Sequence, residues 1–295
     1  MTRIAVLSDI HGNLPALRAV MRDLESFTVD HVVVAGDVIN WGPFNREVIE
    51  VVLDQRWTVI RGNNEYYLLD YDTDRQPEHW RTFTMPQWLH RQMESYVNVI
   101  AGWPDAIQLR YRDAPPIYMT HGWPGNPWRA PHPLVTPDDA ERQLSSVAET
   151  WMITAHSHLW LNDTFGARHL FNAGTVGVPL DRDIRASYML LEGDERGWRA
   201  VFRRVPYDVG AVVREFERQR FIEEVGSVGR LVIKEFETAR LWMYPFNAWY
   251  TLHHPGASMR QSEIDASVVD AFLQIDVDDF VPPEYKTHNL RPFPV

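Results

Sequence analysis

Residues 4–13 read Ile4-Ala5-Val6-Leu7-Ser8-Asp9-Ile10-His11-Gly12-Asn13. A short apolar run of this kind has the length of a buried strand, and it stops on a carboxylate, an imidazole and turn residues. The stretch that follows, 14–27, carries Leu14, Leu17, Val20, Met21 and Leu24 at helical spacing. The same sequence of events then recurs. His31 to Ala35 is a β-branched strand closed by Gly36-Asp37, and Asn45 to Leu53 reads as a helix. Trp57 to Ile60 is a third strand, closed by Arg61-Gly62-Asn63-Asn64-Glu65. A β-α-β-α-β series predicts an α/β sheet with helices covering its faces.

Beyond Glu65 the pattern changes. Residues 66–103 read as mainly helical and are rich in Trp, Tyr and His. Strand signals return at Ile107–Tyr111, Ile117–Thr120, Trp151–Thr154 and His169–Phe171. Between them, Thr136 followed by Pro137 opens a helix expected to reach Glu149. Ser187–Glu192 and Trp198–Val205 form a hairpin through the turn 193–197. Val209–Phe221 reads as a helix, and the rest is an aromatic-rich tail with Trp242, Tyr244, Phe246, Trp249 and Tyr250. The chain therefore divides into a catalytic unit, 1–205, and an appendage, 206–295. Packing onto the core or a dimer contact is the simpler reading of those aromatics, and a lid or base-stacking platform is the alternative.

Composition narrows the field. The chain has 295 residues, 29 Lys and Arg against 40 Asp and Glu, a net charge of −11, and no cysteine. Without cysteine there is no disulfide framework, thiolate metal site or cysteine nucleophile. The acidic balance and the lack of a basic stripe argue against a long nucleic-acid partner. No stretch approaches 18 uninterrupted apolar residues, and Ser8-Asp9 cuts the first apolar run short. No membrane association is expected, and the cytoplasm is the default location.

The chemistry sits in five polar clusters that each follow a strand, where an α/β sheet places its ligand-binding loops. They are Asp9-x-His11, Gly36-Asp37, Gly62-Asn63-Asn64-Glu65, His121-Gly122 and His156-x-His158. Residues i and i+2 of an extended backbone share a side, so each D-x-H or H-x-H pair is expected to aim at one place. Two carboxylates, one amide oxygen and four imidazoles are too many for one tetrahedral ion. They suit two ions sharing a carboxylate. Mixed N and O donors favour Mn, Fe, Zn or Ni over Ca. Two dications against two carboxylates would also leave local positive charge for an anionic phosphate, despite the acidic whole.

In this order the clusters resemble the calcineurin-like metallophosphoesterase superfamily, with its D-x-H, G-D, G-N-H-[DE], mid-chain His and G-H-x-H motifs. Asn172-Ala173-Gly174-Thr175-Val176-Gly177-Val178-Pro179 and Gly42-Pro43 resemble its small bacterial and archaeal phosphodiesterase-like branch. The resemblance covers residues 1–205 and implies a four-layer αββα sandwich. It also implies one metal on Asp9, His11, Asp37 and His158, and a second on Asp37, Asn63, His121 and His156. The implied reaction is hydrolysis of phosphate esters, phosphodiesters above all, by in-line attack of a hydroxide bridging two divalent ions. The substrate would be a small phosphoester, a nucleotide-like one included; a homodimer stays open. A metal-binding protein-interaction scaffold of the same fold is the alternative, although all seven ligand positions keep competent residue types.

Two departures stand out. Ala155 replaces the glycine before His156, a small change in a turn. Asn64 stands where the motif has a His that contacts the phosphate and helps protonate the leaving group, so Asn64 takes that catalytic and substrate-binding position. An amide has no proton to give at neutral pH, and losing such an acid costs about 10²- to 10⁴-fold on a poor leaving group. Phosphodiesters, or esters with acidic leaving groups, are therefore expected over alkyl monoesters. Glu65 loses its usual His neighbour and is expected to be structural. His79 and His90 are candidate substitute acids, with a surface or packing role the simpler reading for each. Asn13 is weighed equally between substrate contact and a turn role, Gly174 and Gly177 between them let the backbone pass beneath the site, and His253-His254 are not expected as ligands.

Overall fold

The computed structural model describes residues 1–257 and 259–294. The first sheet begins with β1 (Thr2–Leu7), β2 (His31–Val34) and β3 (Thr58–Val59), all parallel. α1 (Leu14–Leu24) and α2 (Asn45–Asp54) connect them. The chain then crosses to a second sheet made of β4 (Ala106–Leu109), β5 (Ile117–Thr120), β6 (Trp151–Thr154), β7 (Trp160–Phe165) and β8 (Arg168–Ala173). It returns through the hairpin β9 (Ala186–Asp194) and β10 (Gly197–Val205), which joins the first sheet beside β1. The strand orders are β10-β9-β1-β2-β3 and β4-β5-β6-β8-β7.

Alternation along β1 explains the layering. Ile4 and Val6 point into the core between the two sheets, with Ile117, Ile153, Phe171 and Met189. Ala5 and Leu7 point the other way, into the core under α1 and α2. Both faces are covered, so the strand is apolar throughout. On the outer face of the second sheet, α6 (Pro137–Gln143) contributes Ala140 to a core with Met152, Leu161 and Leu170. The four layers are helix, sheet, sheet, helix, as the sequence implied.

Several boundaries differ from the sequence reading. Strand β7 was missed because Asn162-Asp163-Thr164 interrupt its apolar signal; it is the edge strand, so its middle is free to be polar. Thr136 caps α6 by accepting from the Asp139 amide at 3.2 Å, but the helix stops at Gln143 rather than Glu149. The mainly helical insertion expected at 66–103 breaks into α3 (Asn63–Leu69), a 3₁₀ turn at Glu78–Arg81, α4 (Met85–Met93) and α5 (Val97–Ala101). The helix expected at 209–221 ends as α7 (Val209–Arg218), because Arg220 adopts a left-handed φ of 53° before α8 (Phe221–Val225) starts.

The remaining helices are α9 (Gly229–Thr238), α10 (Met243–His253), α11 (Ala266–Phe272) and α12 (Pro283–His288). With Phe216 of α7 they build a separate core from Phe236, Trp242, Phe246, Trp249 and Phe272, together with Trp80, Phe83 and Trp88 of the helical stretch that follows Glu65. Two polar contacts tie these helices to the loops that follow the strands. Trp41 Nε1 donates to Glu235 at 2.7 Å, and Tyr285 OH donates to the Ser157 carbonyl at 3.1 Å. Farther along, Arg291 pairs with Asp163 at 3.0 Å, and Phe293 packs on Trp160 and Phe202.

Glu235 also accepts from the Trp242 and Met243 amides at 2.8 and 2.9 Å, and burial pushes its carboxyl up to about 6. Its folded value thus lies above its unfolded one. On raising the pH, the unfolded chain gives up this proton first, and the stability that the group contributes at acid pH is lost as the pH rises from 4.5 through 6. Urea unfolding of wild type against Glu235→Gln should show the wild type's relative stability falling by about 2 kcal/mol between pH 3.5 and 7.

Candidate metal centre

The carboxyl ends of β1, β2 and β3 face those of β5 and β6, and each runs into one of the polar clusters. Asp9 and His11 follow β1, Asp37 follows β2, and Asn63 opens α3 after β3. His121 follows β5, while His156 and His158 follow β6. The loops are not extended. Asp9, His11, Asp37, His156 and His158 have φ of 51°, 48°, 54°, 68° and 59°, so five of the seven expected ligands are left-handed. For residues other than glycine this costs about 1–3 kcal/mol each and persists only where the surroundings impose it. The expectation from extended geometry therefore fails in part. Asp9 and His11 still share a place, but His156 and His158 part company.

Two groups of donors result. Asp9, His11, Asp37 and His158 form one, and Asp37, His121 and His156 form the other, with donor atoms within 4.8 Å of one another in each group. Asp37 belongs to both. Asn63 joins the second group, its Oδ1 lying 3.0 Å from His121 Nε2 and 2.7 Å from His156 Nδ1. Five of the seven are buried, and His156 and His158 are half-buried.

This donor set fits a cation. Both carboxylate oxygens of Asp9 are buried without a hydrogen-bond partner. Such an arrangement is costly unless positive charge is nearby. His11 Nε2 and His158 Nε2 approach to 3.1 Å, lone pair toward lone pair unless one is protonated. Burial drives both below their ordinary range, His11 to about 4 and His158 to about 3, so both rings are neutral at pH 7. His156 is likewise lowered to about 3 by burial and the charge of His121. The outer nitrogens are fixed: His121 Nδ1 donates to the Ala35 carbonyl at 2.8 Å and His158 Nδ1 to the Val178 carbonyl at 2.6 Å. That leaves each Nε2 aimed inward, the usual orientation of ligating imidazoles.

The carboxylates differ from one another. Burial and the neighbouring Asp37 charge push Asp9 up to about 8. Burial also works against Asp37, yet the charge and hydrogen bond of His121 hold its carboxyl well below the usual range. In return Asp37 raises His121 to about 9 against the effect of burial.

Asp37 is itself held from behind by Glu65. The fully buried Glu65 accepts from the amides of Asp37 (3.0 Å), Val38 (2.8 Å), Ile39 (3.4 Å) and Gly62 (2.6 Å). Sequence reasoning had it as structural; its specific task is to fold the backbone around Asp37. Gly62 is required there, since a Cβ would lie 2.1 Å from Asp37 Oδ1. A Cβ on Gly177 would lie 1.9 Å from the Ile10 carbonyl, which accounts for the glycine in the 172–179 motif.

Two residues expected to meet substrate are engaged elsewhere. Asn13 is fully buried; its Oδ1 accepts from the Ala16 amide at 3.1 Å and its Nδ2 donates to the Gly177 carbonyl at 2.7 Å. It caps α1 and ties the first loop to the 172–179 loop, in line with the turn role that was weighed equally with substrate contact. Asn64 donates its side-chain amide to Asp37 Oδ2 at 2.6 Å and its backbone amide to Oδ1 at 2.8 Å. Its Oδ1 accepts from Asn40 at 2.7 Å, a partner that sequence reasoning missed. His79 is exposed on the insertion and His90 stacks on Tyr71; among the described residues neither side chain is hydrogen-bonded to the cluster. His253 and His254 stack on Trp249 and Tyr250.

The chain is similar to known proteins. A family model described as the calcineurin-like phosphoesterase superfamily domain matches residues 2–196. An uncharacterized protein of Methanocaldococcus jannaschii is 24% identical over 242 residues, covering 76% of this chain and 96% of that protein. The phosphodiesterase YfcE of Escherichia coli is 26% identical over 204 residues, 66% of this chain and 89% of that protein. A metallophosphoesterase structure from Sphaerobacter thermophilus superposes with a TM-score of 0.64 at 23% identity, covering 81% of this chain and 100% of that one. A hypothetical protein from Pyrococcus horikoshii does so with a TM-score of 0.68 at 20% identity, covering 81% and 99%.

Replacing Glu65 by Gln puts an NH₂ group against backbone N–H donors. Glu65→Gln should lower unfolding stability by about 3 kcal/mol and reduce the divalent metal retained per chain. Urea titration and elemental analysis after dialysis check this; unchanged metal content would show that the Asp37 loop holds its shape without Glu65.

Proposed function

The chain belongs to the calcineurin-like phosphoesterase superfamily and is a metal-dependent phosphoesterase, and from that premise we propose that it hydrolyses small phosphodiesters at a centre of two divalent ions. The observation that carries the reading is the buried Asp37 carboxylate shared by two donor groups, one of which contains an Asp9 with both oxygens unpartnered. Asp9, His11, Asp37 and His158 would hold one ion. Asp37, Asn63, His121 and His156 would hold the other. Mn, Fe, Zn and Ni all suit this mixed donor set. When bound, such ions supply Lewis acidity toward phosphoryl oxygens and a nucleophile of lowered pKa.

The chain's own residues set the preference among esters. Asn64 has no proton to give, and its amide hydrogens serve Asp37. A leaving oxygen must therefore depart without help from this position, which favours diesters and acidic leaving groups over alkyl monoesters. The similarity to a protein named as a phosphodiesterase supports the same preference. Asn64 acts first as a positioning residue for the shared carboxylate, and any contact with substrate comes through the same amide. Residues 1–205 form the catalytic unit in this reading, and 206–295 are an appendage that braces its loops through Trp41 and Ser157.

Purified protein should contain two divalent ions per chain, lose hydrolysis of an aryl phosphodiester on chelation, and regain it with Mn. Less than one ion per chain, with no Mn-stimulated hydrolysis of diester or monoester, would overturn the proposal. Asn64→His should raise the ratio of monoester to diester turnover by about tenfold or more. An equal effect on both substrates would mean that leaving-group protonation is not what Asn64 limits.

A further inference from the structure

A cavity of about 710 Å³ opens beside the centre, with His156 and Ser157 at one end. One wall comes from the loop after His121 and from α6, and carries Trp123, Trp128 and Arg129. The opposite wall comes from the appendage and carries Tyr244 and Tyr285. The size lies within the range of small-molecule sites, about 300–1,000 Å³. Trp128 is 44% exposed and Tyr244 59% exposed, although both lie in aromatic-rich surroundings where their neighbours are packed away. Among the described residues no carboxylate lies within ion-pair distance of Arg129, whereas the nearby Arg142 is paired with Asp139 at 2.6 Å.

We infer that this cavity binds the nucleoside arm of a nucleotide ester, with its phosphoryl group at the His156 end and its base against Trp128 and Tyr244. The inference rests on the phosphodiesterase reading and names its substrate class. Aromatic side chains offer flat apolar faces to a base, and stacking on them tolerates any base. The unpaired guanidinium of Arg129 supplies a donor for a base edge or a further phosphate. A simple alkyl phosphoester would leave both aromatic faces wet. The geometry also gives the appendage a part in recognition, since Tyr244 and Tyr285 come from it.

The test is calorimetric titration of the Mn-loaded full chain with adenosine 5′-monophosphate, ribose 5-phosphate and inorganic phosphate. The nucleotide should bind about tenfold or more tightly than ribose 5-phosphate. Trp128→Ala and Tyr244→Ala should each remove most of that advantage and leave ribose 5-phosphate binding unchanged. Both side chains are exposed, so the fold tolerates the changes; unfolding midpoints verify it. Equal affinity for nucleotide and ribose 5-phosphate, or a nucleotide preference untouched by both substitutions, would overturn the inference. A nucleotide preference that persists while no phosphodiester is hydrolysed would sink the phosphodiesterase reading and leave the binding site standing. Hydrolysis of model diesters without any nucleotide preference would do the reverse.

Discussion

A single carboxylate, Asp37, is held out of water at the seam between two sheets, and the rest of the centre is arranged around it. His121 from the second sheet keeps it ionised against burial, and His11 from the first lies 3.5 Å from the same oxygen. Behind it, Glu65 gathers four backbone amides. A buried charge with this much support is a poor device for stability alone, because desolvation cancels much of what the pairing returns. It makes sense as a fixed anionic point toward which cations are drawn. The strained backbone of Asp9, His11, Asp37, His156 and His158 fits the same purpose, since left-handed turns aim five side chains inward from strands that end nearby.

Much of this was legible in the sequence because its signals are local. β1, β2, β3, β5 and β6 each end on one of the five polar clusters, in chain order. The shared Asp37 and the division of His156 from His158 into separate groups agree with what the family resemblance implied. Extended-strand geometry alone had put the last two together. What was not legible depended on contacts distant in sequence. The hydrogen bonds of Asn13 with Gly177 and of Asn64 with Asn40 and Asp37 are of this kind. Nothing in the spacing of an Asn reveals which carbonyl it will meet. Strand β7 was hidden for a different reason: an edge strand can carry Asn162-Asp163-Thr164 in its middle, so the period-2 pattern fades.

The appendage shows why aromatic content is ambiguous until packing is known. Phe246, Trp242 and Trp249 lie inside a helical core shared with the insertion, whereas Tyr244, from the same helix, faces the cavity beside His156. Neighbouring aromatics of one run thus divide between a packed core and a cavity wall. Through Trp41 and Ser157, α9 and α12 touch loops from both sheets, and α12 also lines the cavity with Tyr285.

The most direct test of the account is a crystal structure of the Mn-loaded protein with anomalous scattering measured at the metal edge. Two peaks should flank the Asp37 carboxylate, one beside Asp9, His11 and His158, the other beside Asn63, His121 and His156. A single peak, or two ions of which Asp37 touches only one, would contradict the claim that this carboxylate organises a two-metal centre.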